Sequence, residues 1–147
     1  MDSKPPVQAR VTHRFNAPAE RVFDAWLATE LIGKWMFGPN VRDEEIMRLN
    51  IDARVGGTYS FVVRRQGKEF DHLGKYLEMN RPHRLAFTWG VAQDGGDTSR
   101  VFIDIVPQES GCELSLAHEM AAEWSEFIPR SEAAWTKMLT ALEKQVT

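Results

Sequence analysis

Apolar positions along this 147-residue chain change their spacing twice, and each change marks a different kind of element. Val11 to Asn16 alternates as a strand does and then meets Ala17-Pro18, after which Val22, Phe23, Trp26 and Leu27 recur at helical spacing. A proline in a first helical turn forfeits no hydrogen bond, so a short amphipathic helix is predicted there. A second helical turn, Glu30 to Lys34, precedes Trp35 and stops at Gly38-Pro39.

Past that stop the period falls to two. Glu45 to Ile51, Thr58 to Arg65, Phe70 to Met79, Leu85 to Trp89, Arg100 to Val106 and Glu113 to Met120 read as strands, with Gly56-Gly57 opening the second. The separators QGK, NRPH, QDGGD and QESG are turn sequences of hairpin length, which predicts an antiparallel meander. The helical period then returns: Trp135, Met138, Leu139, Leu142 and Val146 form one stripe of a long helix, with Pro129 in its first turn and Trp124, Phe127 and Ile128 just before it.

A sheet of that length must cover one face, and the last helix alone has an apolar stripe long enough to do so. The predicted fold class is therefore α+β: a curved antiparallel sheet of about six to seven strands around a long C-terminal helix, with two short helices after the first strand. The length suits a single domain over residues 1–147, with its core at about 8–146. A sheet curled around a helix that it cannot fully contact leaves a cavity, and such cavities are common ligand sites.

Those elements carry a family resemblance. The run RFNAPAERVFDAW, then KW and GP, then VGGTYSF, then HLGKYLEMNRPHRLAFTW, and finally AAWTKMLTAL resembles the bacterial homologues of the heat-shock-protein-90 ATPase activator, within the START-like or Bet v 1-like (SRPBCC) superfamily. The match runs in order from about Val11 to Leu142. It departs at Met36, where an aromatic residue often follows the tryptophan, and at Ala134, where many relatives have glycine. The resemblance implies a helix-grip fold with a deep pocket. Superfamily members bind lipids, plant hormones and polyketides, and a few cyclise or dehydrate polyketides.

Charge narrows the classes of partner. The net charge is -3 with Lys and Arg scattered, so no basic footprint for nucleic acid or an anionic membrane surface is present. MDSKPPVQAR lacks the apolar run of a signal peptide, and no stretch approaches the roughly 20 apolar residues of a membrane span, so a cytoplasmic location is expected. Cys112, the only cysteine, excludes an internal disulfide and is expected to be a half-buried structural thiol.

The polar candidates lie on two strands. His72, Tyr76 and Glu78 share one face of FDHLGKYLEM, and Leu73, Leu77 and Met79 share the other, so apolarity alone leaves the inward face open. The resemblance implies that His72 and Glu78 point inward. His118 shares a face with Leu114, Leu116 and Met120. An imidazole beside a carboxylate can move protons near neutral pH, so His72, Glu78 and His118 are the candidate catalytic groups, with Tyr59 as a neighbour. The rival reading is a set of satisfied polar residues bridging strands. No spacing motif supports a metal site, and no cofactor is expected.

Trp26, Phe61, Phe87, Trp89 and Trp135 fall on predicted inward faces and read first as core. Trp35, Met36, Phe37, Trp124 and Phe127 sit in connections and read as a pocket rim. Together with Tyr59, Phe61, His72, Tyr76, Glu78, Phe87, Trp89, His118, Trp135 and Met138 they make up the expected ligand-binding set. The leading expectation is a carrier or sensor for a small, mostly hydrophobic molecule, with no established reaction and catalysis left undecided. The alternatives are a polyketide cyclase-like or dehydratase-like enzyme, and a co-chaperone, which a chain without a second module disfavours. Homodimerisation stays open.

Overall fold

The computed structural model describes residues 5–92 and 96–147. Strand β1 (Val7–Phe15) leads into helices α1 (Ala19–Ala25) and α2 (Thr29–Trp35), followed by β2 (Glu45–Ile51), β3 (Thr58–Arg65), β4 (Lys68–Asn80), β5 (Arg84–Val91), β6 (Gly96–Gln108) and β7 (Gly111–Met120). A 3-10 turn (Ala122–Phe127) then runs into the long helix α3 (Ile128–Val146). The predicted elements are all present, and several strands run longer than their alternation alone suggests. Part of the QDGGD separator and the tail Met1–Lys4 lie outside the described residues.

The local chemistry explains the boundaries. Pro18 is extended (φ -62, ψ 148), and its carbonyl accepts from the amides of Arg21 and Val22, which starts α1. Gln66 and Gly67 both have positive φ (50 and 78), the backbone of a two-residue hairpin turn, so Arg65 pairs directly with Lys68. Glu109-Ser110 closes the β6–β7 hairpin, with Gln108 opposite Gly111.

The seven strands form one antiparallel sheet in the order β1-β7-β6-β5-β4-β3-β2. Only β1 leaves the meander, crossing to pair with β7 from Val7 opposite Met120 to Phe15 opposite Cys112. The apolar stripe of α3 covers the inner face, and Trp135, Met138, Leu139, Leu142 and Val146 are buried. This is the α+β helix-grip architecture that the element order predicts. Cys112 departs from expectation, being fully rather than half buried, and burial pushes its thiol pKa up.

Two polar ties place α3 against the sheet edge. Glu132 Oε2 accepts a 2.9 Å hydrogen bond from the Arg10 amide, occupying an edge donor of β1, and Glu143 Oε1 lies 2.8 Å from His13 Nε2. An edge strand so covered offers fewer free groups to another chain.

The segment between α2 and β2 is held by a buried carboxylate. Glu44 has a fully buried side chain, with Oε1 2.8 Å from Arg65 Nε and Oε2 accepting a 2.8 Å bond from the Gly38 amide. Gly38 has φ +102, and a Cβ there would fall 2.7 Å from the Gly33 carbonyl oxygen, so the turn requires glycine. This latch presses Trp35, Met36 and Phe37 into the interior.

Breaking the latch should show how much it matters. Glu44→Ala leaves Arg65 without its carboxylate and the buried Gly38 amide without an acceptor, and should lower unfolding stability by about 3 kcal/mol. Asp52→Ala removes the exposed partner of Arg54 and should cost at most about 1 kcal/mol. Urea denaturation of the two variants checks the contrast, and equal losses would remove the latch.

Candidate functional site

A cleft of about 430 Å³ opens at one end of the interface between the sheet and α3. Its walls are Trp89, Gly90 and Val91 from β5, Ser99 from β6, and His118 and Met120 from β7. Trp124 and Phe127 of the 3-10 turn and Arg130 and Ser131 of the first turn of α3 close the other side. A depression of similar volume, about 440 Å³, lies on Gln8, Arg10, Arg84, Asp104 and Glu119, but its charges answer each other, with Arg84 Nη1 2.6 Å from Asp104 Oδ2. That depression has one aromatic residue, Phe102, whereas the sheet–helix cleft has Trp89, Trp124 and Phe127.

Each side of it follows from local sequence. Alternation along β5 and β7 turns Trp89, His118 and Met120 to the inner face. Pro129 sits in the first turn of α3, where its lost donor costs nothing, and the preceding AEWSEF buries none of its residues. Trp124 is thus left 42% exposed, with its ring centroid 5.4 Å from that of Phe127.

His118 is bound into a directed chain of hydrogen bonds. Trp135 Nε1–H donates to His118 Nδ1 at 3.1 Å, His118 Nε2 lies 2.7 Å from Ser99 Oγ, and the Ser99 hydroxyl donates to the Trp89 carbonyl at 2.8 Å. Because the serine proton is committed to Trp89 and Nδ1 must accept, Nε2 carries the hydrogen and the ring is neutral. Burial also holds its pKa down at about 4.

His72 belongs to a different network. Its Nδ1–H donates to the Phe61 carbonyl at 3.3 Å, and Arg65 Nη2 donates to Nε2 at 3.4 Å. Burial and then the Arg65 charge lower its pKa to about 4. Its ring lies 4.7 Å from Phe37 and 5.8 Å from Trp89, within the aromatic core. Both imidazoles therefore match the rival reading of satisfied polar residues.

Two expectations are corrected. Glu78 does not share the inward face of His72 and Tyr76, because a β-bulge between Tyr76 and Glu78 sets Tyr76 opposite Phe87 and Glu78 opposite Ala86, with Leu77 as the extra residue. Glu78 points outward, 54% exposed and 3.5 Å from Arg84, so the predicted imidazole–carboxylate cluster does not assemble. Trp35, Met36 and Phe37 are not a rim: all three are at most 2% exposed. Trp35 Nε1 donates to the Ala25 carbonyl at 3.1 Å, and the Phe37 ring lies among Phe61, His72 and Trp89.

Of the remaining expected lining, Tyr59, Phe61, Tyr76, Phe87, Trp135 and Met138 are buried in the core behind the cleft. Tyr59 Oη donates to the Thr88 carbonyl at 2.6 Å, directly above Gly74, where a Cβ would meet that oxygen. Trp89, His118, Trp124 and Phe127 do line the cleft. Sequence reasoning missed Gly90, Val91, Ser99, Met120, Arg130 and Ser131. The position of Arg130 and Ser131 directly after Pro129 was the available signal, since a first helical turn following an aromatic connection faces the same opening. Among the described residues no group of three or more His, Cys, Asp or Glu converges to hold a metal. No helix among them is long and apolar enough to cross a membrane.

Comparisons with known proteins agree with this architecture. The family described as "Activator of Hsp90 ATPase homolog 1-like protein" matches residues 16–147. A crystal structure of a Rhodobacter sphaeroides protein superposes with TM-score 0.81 at 21% identity, covering 98% of this chain and 95% of that one. A solution structure from Cytophaga hutchinsonii gives 0.75 at 25% identity, covering 98% and 94%. The AHSA1-like protein from Aeromonas hydrophila gives 0.75 at 21%, covering 94% and 90%. No curated protein matches the chain.

Two measurements check the assignments. Phe37→Ala should cost about 3 to 5 kcal/mol of stability, as a buried aromatic does, whereas Trp124→Ala should stay within about 0.5 kcal/mol. The depressed histidines make the unfolded chain bind more protons between pH 6.5 and about 4, so stability is full above 6.5 and falls as pH drops through that window. Each imidazole contributes at most about 3 kcal/mol to that fall. His118→Gln, which can accept from Trp135 and donate to Ser99, should flatten the slope of denaturation midpoint against pH, and an unchanged slope would contradict the neutral assignment.

Proposed function

Since the chain belongs to the activator-of-Hsp90-ATPase-homolog-1-like family, whose profile spans residues 16–147, we propose that it binds a small, mostly apolar molecule in the cleft between β5, β6, β7 and the start of α3. The observation that carries this reading is the pair of exposed Trp124 and half-buried Phe127, lining the cleft with Trp89 and Met120. Apolar surface of that kind, beside polar groups that are already satisfied, gains most by being covered.

The hydrogen-bond directions favour binding over proton transfer. His118 cannot accept a proton at Nδ1 without giving up the Trp135 donor, and Glu78 lies on the opposite face of the sheet. A carrier or sensor needs neither group to move a proton. The chain supplies walls and one opening.

Amide NMR with a panel of apolar aromatic and aliphatic compounds tests the reading. Shift changes should concentrate at Gly90, Val91 and Ser131, and Trp124→Ala should weaken binding by about fivefold or more while leaving the unfolding midpoint unchanged. Perturbations confined to other faces, or none across the panel, would sink it.

A further inference from the structure

Among the described residues that line the cleft only one bears a charge, the cation Arg130. Its guanidinium lies 5.6 Å from the centroid of the Phe127 ring, and it forms no ion pair among the described residues. The acidic side chain two positions on, Glu132, is already committed to the Arg10 amide. The polar groups deeper in the wall have no donor to spare, because His118 Nε2–H points to Ser99 and the Ser99 hydroxyl points to Trp89. Unused donors are therefore concentrated at the mouth, on Arg130 and on the Ser131 hydroxyl.

From this distribution, and resting on the reading of the cleft as a ligand site, we propose that the ligand is an amphiphilic organic acid. Its carboxylate meets Arg130 and Ser131 at the mouth, and its aromatic or short aliphatic body lies between Trp89, Met120, Trp124 and Phe127. A guanidinium offers two parallel donors to a carboxylate, and such charge-assisted bonds are about twice as strong as neutral ones. An amine would meet the reverse situation: among the described residues no carboxylate lines the cleft, and the cation over the Phe127 ring repels a second. A volume of about 430 Å³ lies within the ordinary range of small-molecule sites.

Calorimetric titration of the full chain with 2-naphthoate, decanoate and their primary amides, at low salt and pH 7, separates the two readings. Each acid should bind about tenfold or more tightly than its amide, and added salt should narrow the gap. Arg130→Gln should abolish the difference and Arg130→Lys should restore part of it, while Trp124→Ala should weaken acid and amide alike. Arg130 is exposed, so its variants test binding and not folding. Equal affinity of acid and amide, with amide shifts still at Gly90 and Val91, would overturn the acid assignment and leave the apolar site standing. If none of the four probes binds up to its solubility limit, both readings fall.

Discussion

The indole of Trp135 ties the long helix to the sheet, and the positions of the other groups follow from it. Its ring stands 6.0 Å from Trp26 of the α1 end and 5.5 Å from Trp89 of β5, while its N–H reaches His118 on β7. One side chain thus fixes the depth at which α3 sits in the curl of the sheet. Dispersion and ring contacts set the distance, and its hydrogen bond, together with the Glu132 and Glu143 ties to β1, sets the rotation of the helix about its axis. Shifting α3 along its axis would leave both an indole N–H and an imidazole nitrogen buried without partners, at about 1 to 3 kcal/mol each.

That placement decides where space remains. Behind Trp135 the interior is filled by Trp26, Trp35, Phe87 and the aliphatic stripe of α3. Ahead of it lie only about two turns of the helix and the 3-10 connection, which leave the ends of β5 and β7 uncovered. The cleft is the region that the helix fails to cover. Its inner wall carries Ser99 and His118, backed by Trp135, and the hydrogen-bond directions of the three leave a neutral ring at neutral pH.

Between α2 and β2 a partly buried ion pair plays the corresponding part. Glu44 joins Arg65 to the Gly38 amide, and the apolar residues between α2 and that turn are pushed into the core as a result. An aromatic-rich connection followed by Gly-Pro suggests a rim when read alone, since connections normally lie on the surface. Here the carboxylate latch brings the connection inward, and Phe37 packs against His72. Trp26 Nε1 remains the one buried polar side-chain atom among the described residues without a partner, at the centre of this aromatic packing.

The sequence by itself determined the α+β class, the order of elements, the antiparallel meander and the apolar stripe of α3. These depend on periodicity and turn chemistry, which act over a few residues, and the motifs in register were enough to point to the family. Trp124 and Phe127 were legible as incompletely buried for the same reason. Only the tertiary structure decided the rest. One extra residue at Leu77 reversed the face of Glu78, a change that strict alternation cannot register because a bulge depends on the partner strand. The burial of Phe37 depends on Glu44 meeting Arg65 across 21 positions of sequence, and the neutrality of His118 on Trp135 arriving from another element. Burial, hydrogen-bond direction and protonation are properties of what surrounds a side chain, and those surroundings are assembled from residues far apart along the chain.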